Sequence, residues 1–342
     1  GSQRFAIEIS KQIKKLSPDR FVFIAPENII HKELAKELDV RIAGINTGHI
    51  WEQIDLPLYL KKQGYPLLLN LVNTAPLFYK NKIAVVHDIS WKHFPSYVSR
   101  KFYIWYKFLI PKIIKTSKFI LTVSDFSKND LIEEFNLKDN FIEVIYNSVS
   151  DNFKFLNLHR EKIILSVASL HLCKNTEGLI KAFILLKNQN KFSNFKLVLA
   201  GGYNKKVFAD TNIFELSKNR NDIIFIGHLS DEELIQYYNK SSLFVFPSFF
   251  ESFGIPPIEA MSCGCPCVVS NAASLPEVCG DAAYYVNPYS IEDIAGGIEK
   301  VLNDENLRQD LIKKGFENIK RFSWENSAKK IIEIIDNIEN NL

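Results

Sequence analysis

Short apolar runs rich in β-branched residues alternate with helical stretches along the whole chain. The runs of the first half are RFVFIAP, KIAVVHD, KFILTVSD and FIEVIYNS, and those of the second half are KIILSVAS, FKLVLAGG, DIIFIGH, SLFVFPS and PCVVSN. Short strands with helices between them are typical of parallel sheets that are covered on both faces. The pattern therefore predicts an α/β protein with two Rossmann-like, doubly wound units.

The boundary between the two units is predicted near SVSDNFKFLNLHREK, residues 148–162, where the periodicity lapses between two strands. We therefore expect an N-terminal unit over residues 1–155 and a C-terminal unit over residues 156–322. The last segment, 323–342, has helical spacing and is expected to pack back towards the N-terminal unit. Ligands of doubly wound sheets bind at the carboxyl ends of the strands, so the crevices of the two units are expected to face each other.

The stretch FPSFFESFGIPPIEAMSCGCPCVVS, residues 246–270, predicts a strand, a loop, a helix and a second strand. Pro257 suits the first turn of the helix PPIEAMSCG, and Gly264 suits its C-terminal cap. Glu251 then lies in the loop after the first strand. In that loop Gly254 lets the backbone come close to a ligand, and the start of the helix offers N–H groups to an anion.

Each of the two glutamates in this stretch has a binding interpretation and a plain one. Glu251 stands among aromatic residues, where a carboxylate needs a hydroxyl-bearing partner, although solvated surface acids occur in similar loops. Glu259, predicted in the first helical turn, either binds a ligand or stabilises the helix N-terminus electrostatically. The residues by themselves leave both interpretations open.

The composition is that of a soluble globular protein, with 46% hydrophobic and 24% charged residues. No apolar run approaches the roughly 20 residues of a membrane-spanning helix. The five cysteines include a C-x-C-x-C row and no C-x-x-C pair, which indicates reduced cytoplasmic thiols and neither a disulfide framework nor a zinc site. Cys265 and Cys267 share one face of a strand and are expected in the core.

The net charge of +3 conceals an uneven distribution. Residues 1–150 carry 21 bases and 15 acids (21 − 15 = +6), and the remainder carries 21 bases and 24 acids (21 − 24 = −3). Between Asp88 and Asp125 there is no acid, whereas seven bases occur there: Lys92, Arg100, Lys101, Lys107, Lys112, Lys115 and Lys118.

Several of these bases are interleaved with aromatic residues in RKFYIWYKFLIPKIIK, residues 100–115. The pattern suits a helix that lies on an anionic membrane surface, such as the cytoplasmic face of the inner membrane. It suits equally well a core helix with a solvated basic face. Nucleic acid is disfavoured as a partner, because no recognised binding motif accompanies the basic segment.

The segment ESFGIPPIEA, followed by SCGCPCVVSNAASLPEVCGDAAYYVNP, resembles the signature of glycosyltransferase family 4, whose members are retaining enzymes of the GT-B fold. Further similar segments follow the family's order: GHIWEQIDLP, NTAPL, VVHDIS, TVSDFSKNDL, IYNSV, SLHLCKN, FIGHLSDEEL and FSWENSA. They are most similar to bacterial mannosyl- and rhamnosyltransferases of surface polysaccharide. The resemblance implies transfer of a sugar, with GDP-mannose as the first expectation, to a glycan or lipid-linked glycan such as an O-antigen.

The resemblance also implies roles for residues of the C-terminal unit. Glu251 would hold hydroxyls of the donor sugar, and Glu259 would accept hydrogen bonds from both ribose hydroxyls of the nucleotide. Lys174 would stabilise negative charge on the diphosphate. Backbone groups would contact the sugar and the diphosphate at Ser252, Phe253, Gly254 and Ile255. The nucleobase would lie against the turn at Gly227 and His228.

In the N-terminal unit, His87 at a strand end matches the family histidine that approaches the donor sugar, although a packed histidine fits the same position. The chain opens at GSQRFAIEISKQIKKL, which resembles the glycine-rich turn and first helix of the family without the strand before them. We therefore expect the native chain to extend upstream of Gly1. By the same resemblance, Gly1 would lie where the backbone approaches a ligand, and Arg4 would help to neutralise the phosphates.

The chain departs from the family at two positions near Lys174. Many members have an arginine where this chain has Ser169, and the more similar branch has one where this chain has Cys173. The resemblance implies no metal cofactor, and the sequence has no D-x-D pair. Three alternatives stay open: a nucleotide-sugar epimerase, an inactive protein that binds a sugar nucleotide, and a membrane-docking scaffold.

Overall fold

A computed structural model of the chain describes residues 1–202 and 213–340. Two compact units are present, one formed by Gly1–Asn147 with the C-terminal residues from Ser323, the other by Ser148–Phe322. The N-terminal unit thus ends before the expected residue 155. The reason is that the segment after Asn147 is hydrogen-bonded within the other unit, where Ser262 Oγ donates to the carbonyl of Phe153 over 2.6 Å.

The N-terminal unit contains two sets of parallel strands. Its elements up to residue 147 are α1 (Ser2–Leu16), β1 (Ile24–Ala25), α2 (Lys32–Glu37), β2 (Arg41–Ile42), α3 (Gly48–Ile50), α4 (Leu56–Lys62), β3 (Leu68–Asn70), β4 (Lys82–Val85), α5 (Ser90–His93), α6 (Arg100–Thr116), β5 (Phe119–Thr122), α7 (Asp125–Phe135) and β6 (Ile142–Val144). A π-helical turn, Trp51–Asp55, joins α3 to α4. The four strands β3 to β6 form a parallel sheet in chain order, and β1 pairs in parallel with β2.

The strand expected over RFVFIAP is much shorter than its apolar run. Only Ile24 and Ala25 pair, because the neighbouring strand β2 offers just two residues, and Val22 is exposed. Local composition indicated a strand here, but the length of a strand depends on the partner that lies beside it.

The C-terminal unit is a six-stranded parallel sheet with helices between its strands. Its elements are β7 (Glu161–Val167), α8 (Thr176–Asn188), β8 (Lys196–Ala200), α9 (Ile213–Ser217), β9 (Ile223–Gly227), α10 (Asp231–Lys240), β10 (Ser241–Phe246), α11 (Ile255–Ser262), β11 (Cys267–Ser270), α12 (Leu275–Cys279), β12 (Ala283–Val286), α13 (Ile291–Asn303) and α14 (Glu305–Asn318). The strand order is β9-β8-β7-β10-β11-β12, which is that of a Rossmann fold. The order reverses between β7 and β10, so the ligand crevice of this unit is expected at the carboxyl ends of those two strands.

The last helix, α15 (Trp324–Asn340), returns to the N-terminal unit. It packs against α1, where Phe5, Ile9 and Ile13 recur at helical spacing and are buried. Polar contacts tie α15 to the end of the N-terminal sheet, since Lys330 Nζ lies 2.6 Å from Glu143 Oε1.

All five cysteines are buried free thiols, which confirms the core position expected of Cys265 and Cys267. Burial raises the pKa of Cys265 to about 12, so this thiol stays protonated and unreactive near neutral pH. Over residues 1–202 and 213–340, every helix is too short or too polar to cross a bilayer.

Candidate active site

The loops that follow β7 and β10 meet at the reversal point of the C-terminal sheet. The backbone N–H of Phe249 donates to the carbonyl of Cys173 over 2.8 Å, and Asn175 Nδ2 donates to the carbonyl of Pro247 over 3.1 Å. Asn175 adopts the left-handed conformation (φ 52°) and leads directly into α8. The loop after β10 is therefore the strand-to-helix loop that the sequence predicts, held against the loop after β7.

Lys174 and Glu251 form an ion pair at this point. Lys174 Nζ donates to Glu251 Oε1 over 2.7 Å, although 77 residues separate the two along the chain. Both side chains are mostly buried, that of Lys174 less completely than that of Glu251. The pair sets a cationic donor beside an anionic acceptor, which is a combination that suits a ligand carrying both phosphate and hydroxyl groups.

Gly254 lets the loop pass close to the start of α12. Its φ of +96° lies in the left-handed region, and a Cβ atom there would come within 2.7 Å of Leu275 Cδ2. The Oγ of Ser274 lies 3.0 and 3.1 Å from the carbonyl oxygens of Glu251 and Phe253 and donates to one of them at a time. Ser274 thus holds the loop through its backbone carbonyl groups, a role that no sequence signal indicated.

For α11, the predicted C-terminal cap is confirmed, whereas the prediction that Glu259 lies in the first turn is wrong. Gly264 has a φ of +68° and its N–H donates to the carbonyl of Met261, which confirms the expected cap. Glu259, however, is the fifth residue of α11 and lies in its second turn. The attraction of a helix N-terminus fades within the first turn, so electrostatic stabilisation of the terminus does not explain this carboxylate.

Glu259 instead interacts with a buried tyrosine. It is only 5% exposed, and its Oε2 accepts a hydrogen bond of 3.0 Å from the hydroxyl of Tyr238. Burial, followed by the negative charge of Glu259, raises the pKa of Tyr238 well above its ordinary value, so the hydroxyl stays a donor. Tyr238 was not among the sequence candidates, because nothing in DEELIQYYNK distinguishes it from an ordinary core aromatic residue.

Gly227 and His228 lie at the same carboxyl edge of the sheet. Gly227 ends β9 with a φ of +73°, and its carbonyl accepts a 2.7 Å hydrogen bond from the N–H of Gly201, the residue after β8. His228 follows and is exposed. Their contact with a nucleobase stays a prediction.

His87 is buried at the end of β4 in the N-terminal unit. The backbone N–H of His87 donates to Asn73 Oδ1 over 2.7 Å, and the ring Nε2 lies 3.4 Å from the carbonyl oxygen of Leu71. The centroid of the imidazole ring is 5.1 Å from that of the Phe5 ring. Burial lowers the pKa of His87 to about 4. The imidazole is therefore neutral near pH 7, and its chemistry there is hydrogen bonding.

Gly1 and Arg4 belong to the start of α1. The carbonyl of Gly1 accepts from the N–H of Phe5 over 3.0 Å, and Arg4 is half-buried beside it. The candidate residues therefore fall into two sets, with His87, Gly1 and Arg4 in the N-terminal unit and the others in the C-terminal unit.

A further buried carboxylate lies in the π-helical turn of the N-terminal unit. Glu52 Oε1 accepts a 2.8 Å hydrogen bond from Thr74 Oγ1, and its Oε2 lies 3.4 Å from His49 Nδ1. Turns of this kind occur frequently at functional sites. The segment GHIWEQIDLP carries part of the family resemblance, but nothing in its residue pattern distinguishes Glu52 as a functional residue.

Comparison with known proteins identifies the class of this chain. Residues 148–318 match the family described as Glycosyl transferases group 1. O-antigen chain mannosyltransferase B of Escherichia coli is 31% identical over 277 residues, which cover 75% of this chain and 72% of that protein. O-antigen chain mannosyltransferase RfbU of Salmonella typhimurium is 28% identical over 277 residues, covering 81% and 75%.

A solved structure extends the likeness to the whole fold. Anabaena Alr3699/HepE in complex with UDP and glucose matches with a TM-score of 0.73 at 16% identity, covering 97% of this chain and 96% of that one. The architecture is that of the GT-B glycosyltransferases, which confirms the predicted fold. The chain belongs to the Glycosyl transferases group 1 family and is a glycosyltransferase.

Proposed function

We propose that this glycosyltransferase transfers mannose, with retention of configuration, from GDP-mannose to a glycan or lipid-linked glycan of a bacterial surface polysaccharide. The observation that carries the proposal is the Lys174–Glu251 pair at the reversal point of the C-terminal sheet. Glu259 lies in α11, the helix that follows the loop of Glu251. The names of the Escherichia coli and Salmonella relatives support mannose and an O-antigen acceptor, and the UDP and glucose of the Anabaena complex support a nucleotide-sugar donor.

The donor would bind along the carboxyl edge of the C-terminal sheet. Glu259, oriented by Tyr238, would accept hydrogen bonds from the two ribose hydroxyls. Lys174 would contact the diphosphate, and Glu251 would hold hydroxyls of the sugar. The backbone from Ser252 to Ile255 would lie against the sugar and the diphosphate, with the base at Gly227 and His228.

The transfer would follow a front-face course. The acceptor oxygen bonds to the anomeric carbon on the side from which the diphosphate leaves, and the electron pair of the broken carbon–oxygen bond goes to the diphosphate. The acceptor proton passes to a diphosphate oxygen. Lys174 favours this step because its charge stabilises the diphosphate as negative charge builds up on it. His87 stays a predicted hydrogen-bonding contact of the donor sugar.

No metal ion is assigned a role in this reaction. Charge on the diphosphate would be neutralised by Lys174, by the N–H groups at the start of α8, by the N–H groups of Gly254 and Ile255 that precede the two prolines of α11, and by Arg4. Because nucleoside diphosphate sugars are cytoplasmic metabolites, we place the reaction in the cytoplasm or at the cytoplasmic face of the inner membrane.

Thermal unfolding against a panel of nucleoside diphosphate sugars, GDP-mannose included, tests the donor site. A donor present at about 100 times its dissociation constant adds about 2.7 kcal/mol of stability to the folded state. We expect this gain for one nucleotide, its loss in Glu259→Ala, and its retention in the control Glu333→Ala, which removes an exposed carboxylate of α15.

Product analysis with a mannose-terminated oligosaccharide acceptor tests the reaction itself. The expected product keeps the anomeric configuration of the donor, as read from its proton NMR spectrum, and forms equally well with a metal chelator present. Donor binding without any product would assign an inactive protein, for which Ser169 and Cys173 at the expected arginine positions are the best argument. An epimerised donor released without an acceptor would assign an epimerase.

A further inference from the structure

Helix α6 presents two different apolar faces. Leu109, Ile110, Ile113 and Ile114 are buried in the core of the N-terminal unit. On the opposite side Ile104 is 58% exposed, Trp105 37% and Phe108 48%. The core interpretation of this helix therefore explains only its inner half. The outer face of α6 consists of Lys101, Ile104, Trp105, Phe108, Lys112 and Lys115.

The spacing of these residues makes the outer face one continuous stripe. Successive members are separated by three, one, three, four and three positions, which keeps them on one side of a helix with 3.6 residues per turn. The apolar residues lie in the middle, and lysines lie at both ends. Lys112 Nζ is 3.5 Å from the centroid of the Phe108 ring, so its charge lies directly beside the apolar patch.

The bases of this segment have no acidic partners. On either side of it, Lys92 pairs with Glu134, and Lys128 pairs with Asp139. In the described part of the chain, by contrast, no carboxylate pairs with any of Arg100, Lys101, Lys107, Lys112, Lys115 and Lys118. The outer face thus keeps its full positive charge available for a partner of opposite charge.

A second exposed apolar stripe adjoins the first. Ile50, Ile54 and Leu58 recur every four residues from α3 through the π-helical turn into α4, and all three are more than half exposed. The ring of His49 lies 5.9 Å from that of Trp105, so α3 meets α6 at this point. A contiguous exposed apolar surface of this kind marks an interaction site.

We propose that the outer face of α6 docks this protein on the surface of an anionic lipid bilayer. Ile104, Trp105 and Phe108 would enter the boundary between headgroups and acyl chains, while the flanking lysines extend to the lipid phosphates. A second copy fits less well, because its own lysines would face these lysines. The docking does not depend on the transfer reaction and is measured without donor or acceptor.

Co-sedimentation of the full chain with vesicles tests the proposal. The vesicles contain either phosphatidylcholine alone or phosphatidylcholine with one part in about three of phosphatidylglycerol. We expect binding to the anionic vesicles that weakens as salt is raised, because exposed charges are screened. The triple variant Lys101→Ser, Lys112→Ser, Lys115→Ser removes the three lysines of the outer face and should bind about 100-fold more weakly, at about fivefold per lysine.

Two further variants separate charge from apolar contact. Ile104→Ser with Phe108→Ser keeps every charge and should also lose binding, and both residues are exposed, so the fold is kept. The matched control changes three exposed lysines of the C-terminal unit, Lys154→Ser, Lys162→Ser and Lys313→Ser, with the same change in net charge. It should bind like the wild type.

Three results would overturn the proposal. Equal binding by the α6 lysine variant and the control variant would mean that net charge alone attracts the protein. Equal binding to neutral and anionic vesicles would remove the role of the lysines. Absence of vesicle binding, together with a concentration-dependent dimer that Ile104→Ser with Phe108→Ser abolishes, would assign the face to a second copy of this chain.

Discussion

At the scale of single residues, the C-terminal site consists of polar groups that already hold one another in place. Lys174 is hydrogen-bonded to Glu251, and Tyr238 to Glu259. Each pair joins a residue that the sequence singles out to a partner that is remote along the chain. The carboxylates are therefore oriented before a ligand arrives, which lowers the entropic cost of binding.

We expect Glu251→Ala to abolish transfer and to leave nucleotide affinity within a few fold of the wild type. The carboxylate is proposed to contact the sugar, while the nucleotide is held elsewhere. Calorimetric titration with the nucleoside diphosphate and a turnover assay measure the two effects separately. Lys181→Ala, which removes the exposed partner of Glu177 on α8, is the control and should leave both values unchanged. Loss of nucleotide binding in Glu251→Ala would contradict its assigned role.

Tyr238→Phe should weaken nucleotide binding about fivefold, because it removes a hydrogen bond worth about 1 kcal/mol and keeps the buried ring. A purely structural effect would weaken every ligand alike. We therefore expect no change in affinity for an analogue that lacks both ribose hydroxyls, since Tyr238 acts through Glu259. If the variant weakens the analogue as much as the parent nucleotide, Tyr238 does not position this carboxylate.

At the scale of elements, the junction between β10 and α11 shapes the site. Gly254 turns the chain into the helix, and Ser274 supports the loop through its carbonyl groups. The two prolines of α11 lie in its first turn, where they cost no hydrogen bond. The position of the helix start, and with it the backbone from Ser252 to Ile255, depends on this one glycine.

Gly254→Ala should destabilise the C-terminal unit by about 1–3 kcal/mol and weaken donor binding. The added Cβ meets Leu275 Cδ2 at 2.7 Å, and alanine avoids a positive φ. Gly296→Ala in α13 is the matched control. Nothing lies within 4 Å of its added Cβ, and alanine is favoured in a helix, so its stability should rise or stay the same. Equal calorimetric melting temperatures for the two variants would contradict the strained turn.

At the scale of the whole molecule, the two units can be followed separately. All four tryptophans, Trp51, Trp91, Trp105 and Trp324, belong to the N-terminal unit. Tryptophan fluorescence therefore reports unfolding of that unit alone. The effect of the buried His87 on the unfolding free energy of the N-terminal unit can therefore be measured without a signal from the C-terminal unit.

The N-terminal unit should lose stability as the pH falls from about 6.5 to about 4. Burial lowers the pKa of His87 to about 4 in the folded state, against about 6.5 in the unfolded chain, so protons bind the unfolded chain preferentially. The contribution, on the order of 3 kcal/mol, is complete above pH 6.5 and lost below pH 4. Urea unfolding followed by fluorescence at pH 7 and at pH 4.5 measures it.

His87→Gln should remove most of that difference, because glutamine does not titrate. His159→Gln changes an exposed histidine of the other unit and should keep the wild-type pH dependence. An unchanged pH dependence in His87→Gln would show that other groups cause the loss of stability.

The sequence by itself determined most of the strands, the α/β alternation and the loops that carry the candidate residues, although β2, β3 and β12 lie outside the apolar runs that predicted strands. Hydrophobic periodicity and turn residues act over a few positions, so the strand–loop–helix from 246 to 264 and its Gly264 cap were predictable. The resemblance added the roles expected of Glu251, Glu259 and Lys174. The second-turn position of Glu259 was missed because sequence patterns place helix ends only within a few residues.

Only the tertiary structure decided which of these residues meet. Lys174 reaches Glu251 because β7 lies beside β10, and strand order follows from packing of the whole sheet. Tyr238 reaches Glu259 because α10 packs against α11. The two-residue length of β1 follows from its neighbour β2, which is equally short. The outer face of α6 was likewise undecided in the sequence, since burial alone separates its core residues from those that stay exposed. Such contacts join distant segments, and no local pattern encodes them.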